Sequence, residues 1–147
     1  MYREEWRCNI NHEEIKKIFE TLLAEYAKNK GIRVAYHNVK FTPSANETYL
    51  RSHILPALTT SYTLAGDHTQ YRGIYQITIV TPLNGGTKTA GDIAGELMNI
   101  FKMNRIYYKK DSDEYVQQIK PFHTTQGFVE DAKFSYPMSF EYRCDVN

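Results

Sequence analysis

The strand-like run Tyr71-Arg72-Gly73-Ile74-Tyr75-Gln76-Ile77-Thr78-Ile79-Val80-Thr81-Pro82 constrains this chain most. Tyr71, Gly73, Tyr75, Ile77 and Ile79 alternate with Arg72, Ile74, Gln76, Thr78 and Val80, and both sets carry apolar residues toward the end. A strand of that kind belongs in the middle of a sheet, with a helix on one face and another surface on the other. Ahead of it stand Tyr49-Leu50-Arg51, Leu55-Pro56-Ala57 and Leu64-Ala65-Gly66-Asp67, with no clustered nucleophile, acid or metal ligand. The whole stretch reads as sheet scaffold, which points to assembly and away from catalysis.

The elements around it follow from periodicity. Ile15, Ile18, Phe19, Leu22, Leu23 and Tyr26 recur at helical spacing. Asn11 with Glu14 has capping-box spacing, Ile10 and Ile15 suit a hydrophobic staple, and Gly31 supplies the exit. Ile32, Val34 and Tyr36 alternate as a half-buried strand does, and 41–46 is a turn-rich loop. A strand over 48–55 stops at Pro56, which has no N–H for a ladder, and 61–64 is expected to resume pairing before the Gly66-Asp67 turn. After a turn over 82–86, Ala90, Ile93, Ala94, Leu97, Met98 and Phe101 mark a second amphipathic helix capped by Thr87 or Thr89. Gly91 and Gly95 are expected to let it pack closely on the sheet.

The last third reads as strands over 105–109, 115–120, 127–129 and 133–144. In the final one Phe134, Tyr136, Met138, Phe140, Tyr142 and Cys144 share a face. Pro137 in its middle predicts an edge strand or bulge, where a neighbouring subunit can pair. Helix, strands, helix and strands without strict βαβ alternation indicate an α+β fold, two amphipathic helices on a mainly antiparallel sheet. Residues 1–147 are expected as one domain, with 1–9 a flexible N-terminal arm.

At 147 residues the chain can bury about two-thirds of its unfolded surface in one core. Its net charge of +1 gives no global basic field for nucleic acid, so DNA contact would need a local patch. Aromatics reach 14%, with twelve Tyr and seven Phe, a surplus that suits strands and interfaces. Cys8 and Cys144 lack metal-site spacing and read as reduced thiols of a cytoplasmic protein. Residues 1–7 carry charges where a signal peptide needs an apolar core, and no eighteen apolar residues run consecutively, so neither secretion by that route nor a membrane span is expected.

Catalytic and metal chemistry find little support. His12, His37, His53, His68 and His123 have no zinc-helix spacing, and no serine lies in a Gly-x-Ser-x-Gly motif. Leu83-Asn84-Gly85-Gly86-Thr87-Lys88-Thr89 lacks the spacing of a phosphate loop. Lys102, Arg105, Tyr107, Tyr108, Lys109 and Lys110 form a basic-aromatic cluster suited to stacking nucleic acid, but Asp111, Asp113 and Glu114 follow at once, which favours a solvated turn. No catalytic residue, metal or cofactor is expected. A different class stays open, a small hydrolase or ligand-binding domain using Asp67, His68 or His53.

The succession Tyr-Leu-Arg, Leu-Pro-Ala, Gly-Asp and Arg-Gly-Ile-Tyr-Gln-Ile-Thr-Ile-Val-Thr-Pro, followed by an Ala/Gly-rich amphipathic helix, resembles the tail-terminator and tail-completion proteins of long-tailed bacteriophages. It is similar to the U-type minor tail protein of lambdoid phages. The likeness spans roughly 14–101, with closing strands expected beyond it. It implies a virion protein, made in the host cytoplasm, that forms a ring of six copies at the head-proximal end of the tail. Its implied partners are itself, the major tail tube protein and the head-tail connector, with DNA passing through the ring without sequence-specific binding. A connector or neck protein is the alternative within the same class. Arg51, Arg72, Tyr75, Tyr136 and Pro137 are the candidate subunit contacts. Phe41, Asn46, Asn84, Lys88, Lys109, Lys110 and Asp113, in three loops, are the candidates for touching tube or connector.

Overall fold

The computed structural model describes residues 10–146. The expected arm, 1–9, and Cys8 with it lie outside the described residues. Helix α1 runs from His12 to Lys30. Its start follows from Asn11, whose side chain accepts the Glu14 N–H, and its end from Gly31 at φ 76, a left-handed conformation that glycine adopts without a Cβ clash. The other helix, α2 (Lys88–Ile100), has Thr87 at its cap position, although the Thr87 side chain makes no cap hydrogen bond.

Among the described residues eight strands make one sheet: β1 (Arg33–Tyr36), β2 (Tyr49–Pro56), β3 (Thr69–Pro82), β4 (Ile106–Tyr108), β5 (Tyr115–Gln118), β6 (His123–Thr124), β7 (Phe128–Glu130) and β8 (Lys133–Val146). The order is β1-β2-β3-β8-β5-β4, and β6 and β7 also pair with β8. The fold is α+β as expected, but the sheet is mixed, because β1 joins β2 in parallel. The remaining pairings are antiparallel.

One face of the sheet carries the core. Phe19 of α1 lies among Tyr75, Phe140, Tyr107 and Tyr142, with ring centroids 4.9, 5.1, 5.3 and 5.9 Å away. Such aromatic pairs are each worth about 0.5–1.5 kcal/mol beyond the area they bury. Ile77, Ile79, Leu50 and Met138 extend this layer, and α2 closes it with Ala90, Ile93, Ala94 and Leu97.

Several expectations are corrected. Strand β8 is not an edge: it pairs with β3 along its full length and with β5, β6 and β7 on its other side. Pro137 is tolerated there because its carbonyl accepts the Thr125 N–H, which places its donor-less nitrogen toward the break between β6 and β7. The short β6 escaped the sequence reading, since two residues carry no period. Residues 61–64 form no strand, and pairing near them is a single Thr60–Gln70 bridge. Gly91 and Gly95 do not mediate packing on the sheet: both are exposed, and a Cβ at either would meet nothing within 4 Å.

Candidate functional site

Among the described residues no helix lies on the second face of the sheet, which divides into two ends. Toward Tyr49 and Val80 it is covered, because Phe41 lies against Tyr49 with ring centroids 4.8 Å apart and Lys133 Nζ reaches the Ser44 and Ala45 carbonyls. Toward Pro56 it is open. There Leu55 faces Ile74 across β2 and β3, Arg72 faces Arg143 across β3 and β8, and Gln117 of β5 continues the row. Leu55 is 48% and Ile74 37% exposed. Tyr108 and Tyr115, paired across β4 and β5, are exposed beside them. Mixed arginine, tyrosine and aliphatic surface is the composition that protein interfaces favour.

The five candidate contact residues separate on this framework. Arg72 lies on the open end, its guanidinium 3.9 Å from Glu141. Arg51 is half-buried and engaged within the subunit, donating to Glu130 Oε1 at 3.2 Å and Ser135 Oγ at 3.1 Å. Tyr75 is fully buried, its hydroxyl 2.8 Å from Ser52 Oγ, and burial pushes its phenol far above the ordinary value. Its place is the core. Tyr136 stacks on Phe134 at the core's half-buried margin, and Pro137 lies inside the sheet opposite Thr78. Of the five, Arg72 alone faces outward on the open surface.

The loop residues also separate. Phe41 is held in place: Arg33 packs over its ring at 4.5 Å while gripping Glu47 through two bonds of 2.7 Å. That guanidinium, with the Ser44 N–H, holds the Glu47 carboxyl down to about 2. Asn46 is exposed on the same loop. Asn84 adopts a left-handed φ of 64 in an exposed turn, and exposed Lys88 bonds Asp92 one helical turn on. In the hairpin between β4 and β5, Lys110 and Asp113 are exposed, whereas Lys109 bridges Glu114 at 3.4 Å and Glu14 at 3.9 Å. Tyr107 at the hairpin's base is buried, which raises its phenol to about 12.

A surface that the sequence reading missed is the loop between β2 and β3. Leu58, Tyr62 and Leu64 are among its most exposed residues, although the loop itself is tied down. His68 Nε2 lies 2.9 Å from Asp145 Oδ1, and the Tyr62 N–H donates to His68 Nδ1 at 3.3 Å. Burial alone would raise the Asp145 carboxyl, but hydrogen bonds from Gln70, Arg143 and His68 overcome it and hold that carboxyl low. Asp67 has a separate task, accepting from Thr63 Oγ1 at 2.6 Å. Asp67 and His68 therefore lock two turns and form no acid-base pair with each other. His53 stands 6.3 Å from His37, ring to ring, and its proton affinity is lowered by burial and then by Arg51. Among the described residues no group of three His, Cys, Asp or Glu side chains converges as a metal set.

The described residues thus present an open sheet end and three exposed loops as the surface on which the candidate contact residues lie. The chain belongs to the phage tail terminator protein family, whose model matches residues 14–142. A solved structure bearing no functional name is 35% identical to it, covers 95% of this chain and 97% of its own, and superimposes with a TM-score of 0.75. No curated protein matches. Family membership makes this a structural tail protein of a bacteriophage, a component of the virion.

Proposed function

We propose that this protein ends the growth of the tail tube. In this reading six copies close into a ring, seat on the head-proximal end of the tube, and offer their outer surface to the head-tail connector. The observation that carries it is the family match over 14–142, which takes in both helices and nearly all of the sheet. A ring built head to tail needs two different patches on each copy, and growth stops because the outer patch does not repeat the tube's own end. The open end of the sheet, with Arg72, Ile74 and Arg143, supports a subunit contact. The loops holding Asn46, Asn84 and Lys110 support contacts with tube or connector. A net charge of +1 accords with DNA passing through without sequence-specific binding. The chain would be made in the host cytoplasm and act at the tail.

Deleting the gene tests the reading. Electron micrographs of the lysate should show overlong tails that carry no heads. Tails of normal length joined to full heads would overturn it.

A further inference from the structure

At the sheet's far edge, β4 and the flank of α1 enclose a groove of about 560 Å³, with Ile18 and Leu22 on the helix side and Ile106 and Tyr108 on the strand side. Among the described residues β4 has a neighbouring strand on one side alone. Its bonds toward β5 use the Arg105 carbonyl and the Lys109 N–H, so the alternation turns the main-chain groups of Ile106 and Tyr108 away from β5. An open strand edge beside an apolar trough is the arrangement that accepts an extended peptide as an added strand. The charge around it is one-sided. Lys17 and Lys109 lean on Glu14 at 3.7 and 3.9 Å. Arg105 donates to the Ile100 carbonyl with its guanidinium 4.7 Å from the Tyr107 ring, and Lys110 is exposed, so neither has a carboxylate partner among the described residues.

We propose that this groove binds an extended acidic segment of a partner protein, which adds as a strand along β4. Tyr107 packs against Phe19 and Lys109 reaches Glu14, so Arg105, Tyr107 and Lys109 face α1 while Ile106 and Tyr108 face the other side. A strand laid on β4 repeats that alternation. Its residue opposite Tyr107 points into the trough toward Ile18 and Leu22, and an apolar side chain fits there. The residues two before and two after it stand opposite Arg105 and Lys109, about 13 Å apart at 3.3 Å per residue, where carboxylates find cations across the pair. The two residues between lie beside Ile106 and Tyr108, an aliphatic and an aromatic surface. The pattern recognised is therefore acid, three apolar residues, acid. Main-chain bonds to Ile106 and Tyr108 supply affinity, and like charges meeting at the rim turn basic segments away. This contact is independent of tube capping.

Selection of a ribosome-displayed library of random nine-residue peptides on the immobilised full chain tests the site, and the recovered peptides should carry that pattern. In fluorescence anisotropy a labelled Gly-Ser-Glu-Val-Leu-Val-Glu-Ser-Gly should bind at least about tenfold tighter than the same peptide with lysines for glutamates. Lys17→Glu with Lys110→Glu, both at exposed positions, should weaken the acidic peptide several-fold and leave the melting temperature unchanged. Ile106→Pro removes an N–H that β5 does not use, so the sheet should stay intact while binding is lost. If that variant melts early, the charge reversal decides by itself. Four results would each overturn the proposal. They are no enrichment over the bare matrix, equal affinity for the two peptides, undiminished binding to the charge-reversed variant, or an oligothymidylate bound in the groove more tightly than the acidic peptide, which would make it a nucleic-acid site.

Discussion

The two faces of this sheet are made by the same strands and do opposite things. Along β3, Tyr75, Ile77 and Ile79 point into an aromatic layer around Phe19 and are fully buried, while Arg72, Ile74 and Gln76, one residue out of step, point away from it. On β8, Phe140 and Tyr142 join the core while Glu141 and Arg143 do not. The period of two thus buries one face and leaves the open end of the other exposed to solvent. The loop over 37–48 shows where that separation stops, because it covers the Tyr49 end of the second face with the Arg33, Phe41 and Glu47 clamp.

The largest effect should come from the covered face. Phe140→Ala removes a ring that meets Phe19, Tyr75, Phe101 and Phe122, and should cost about 3–5 kcal/mol in urea denaturation. A loss below about 1 kcal/mol would break the comparison, since surface sites typically give values that small. Gly73→Ala should come next, at about 1–3 kcal/mol. A Cβ there would press into the Tyr142 hydroxyl and come within 2.8 Å of the Leu55 carbonyl, which is backbone and yields poorly. The companion Tyr142→Phe should recover only a small part of that loss, because it removes the hydroxyl but leaves the ring carbon at 2.7 Å and the Leu55 carbonyl in place.

How much of this was legible in the sequence depends on whether a residue's role is set locally. Asn11, Glu14 and Gly31 act within a few residues of themselves, and α1 starts and stops where they dictate. The two-sided apolar character of 71–82 placed β3 centrally, with β2 and β8 beside it. Pro137 misled because proline forbids one donor on one side, whereas an edge requires a whole side to be empty. The break between β6 and β7 satisfies the first condition without the second. Tyr75 and Arg51 were legible as strand residues but not as core and internal partner, since that depends on Ser52, Glu130 and Ser135 arriving from elsewhere. The exposed Leu58, Tyr62 and Leu64 were hidden by the opposite error, strand-like residues in a segment that lacks a partner strand.

Smaller effects sharpen the comparison away from the sheet. Gly95→Ala should stabilise the protein by about 0.4–1 kcal/mol in thermal denaturation, because the site is helical, exposed and empty around the missing Cβ. Destabilisation would mean that α2 packs differently on its outer side. Acid should then loosen the loop over 37–48 before it touches the core. The Glu47 carboxyl sits at about 2 instead of its ordinary 4.5, so its contribution is complete above about 4.5 and disappears as the pH falls through about 2. Proton NMR of the Ser44 amide and Phe41 ring should show that late transition, and Arg33→Ala should move it up toward the ordinary carboxylate range.

The smallest change in stability is expected on the open face, and it is the one that bears most directly on function. Ile74 is partly exposed, and the Arg72–Glu141 pair, at 3.9 Å with both side chains 44% exposed, is the kind of surface contact worth little to the fold. The double variant Arg72→Ala and Ile74→Ser should therefore stay within about 0.5 kcal/mol of the native protein. If this face joins subunits, the same variant should fail to restore normal tails when supplied to a phage lacking the gene, because removing an arginine and an apolar anchor at an interface strips the residues that carry its affinity. Full complementation by a stable variant would remove the open face from the assembly and leave the loops as its contacts. Loss of stability beyond about 2 kcal/mol, far above what surface substitutions give, would show that the two faces are not energetically separate.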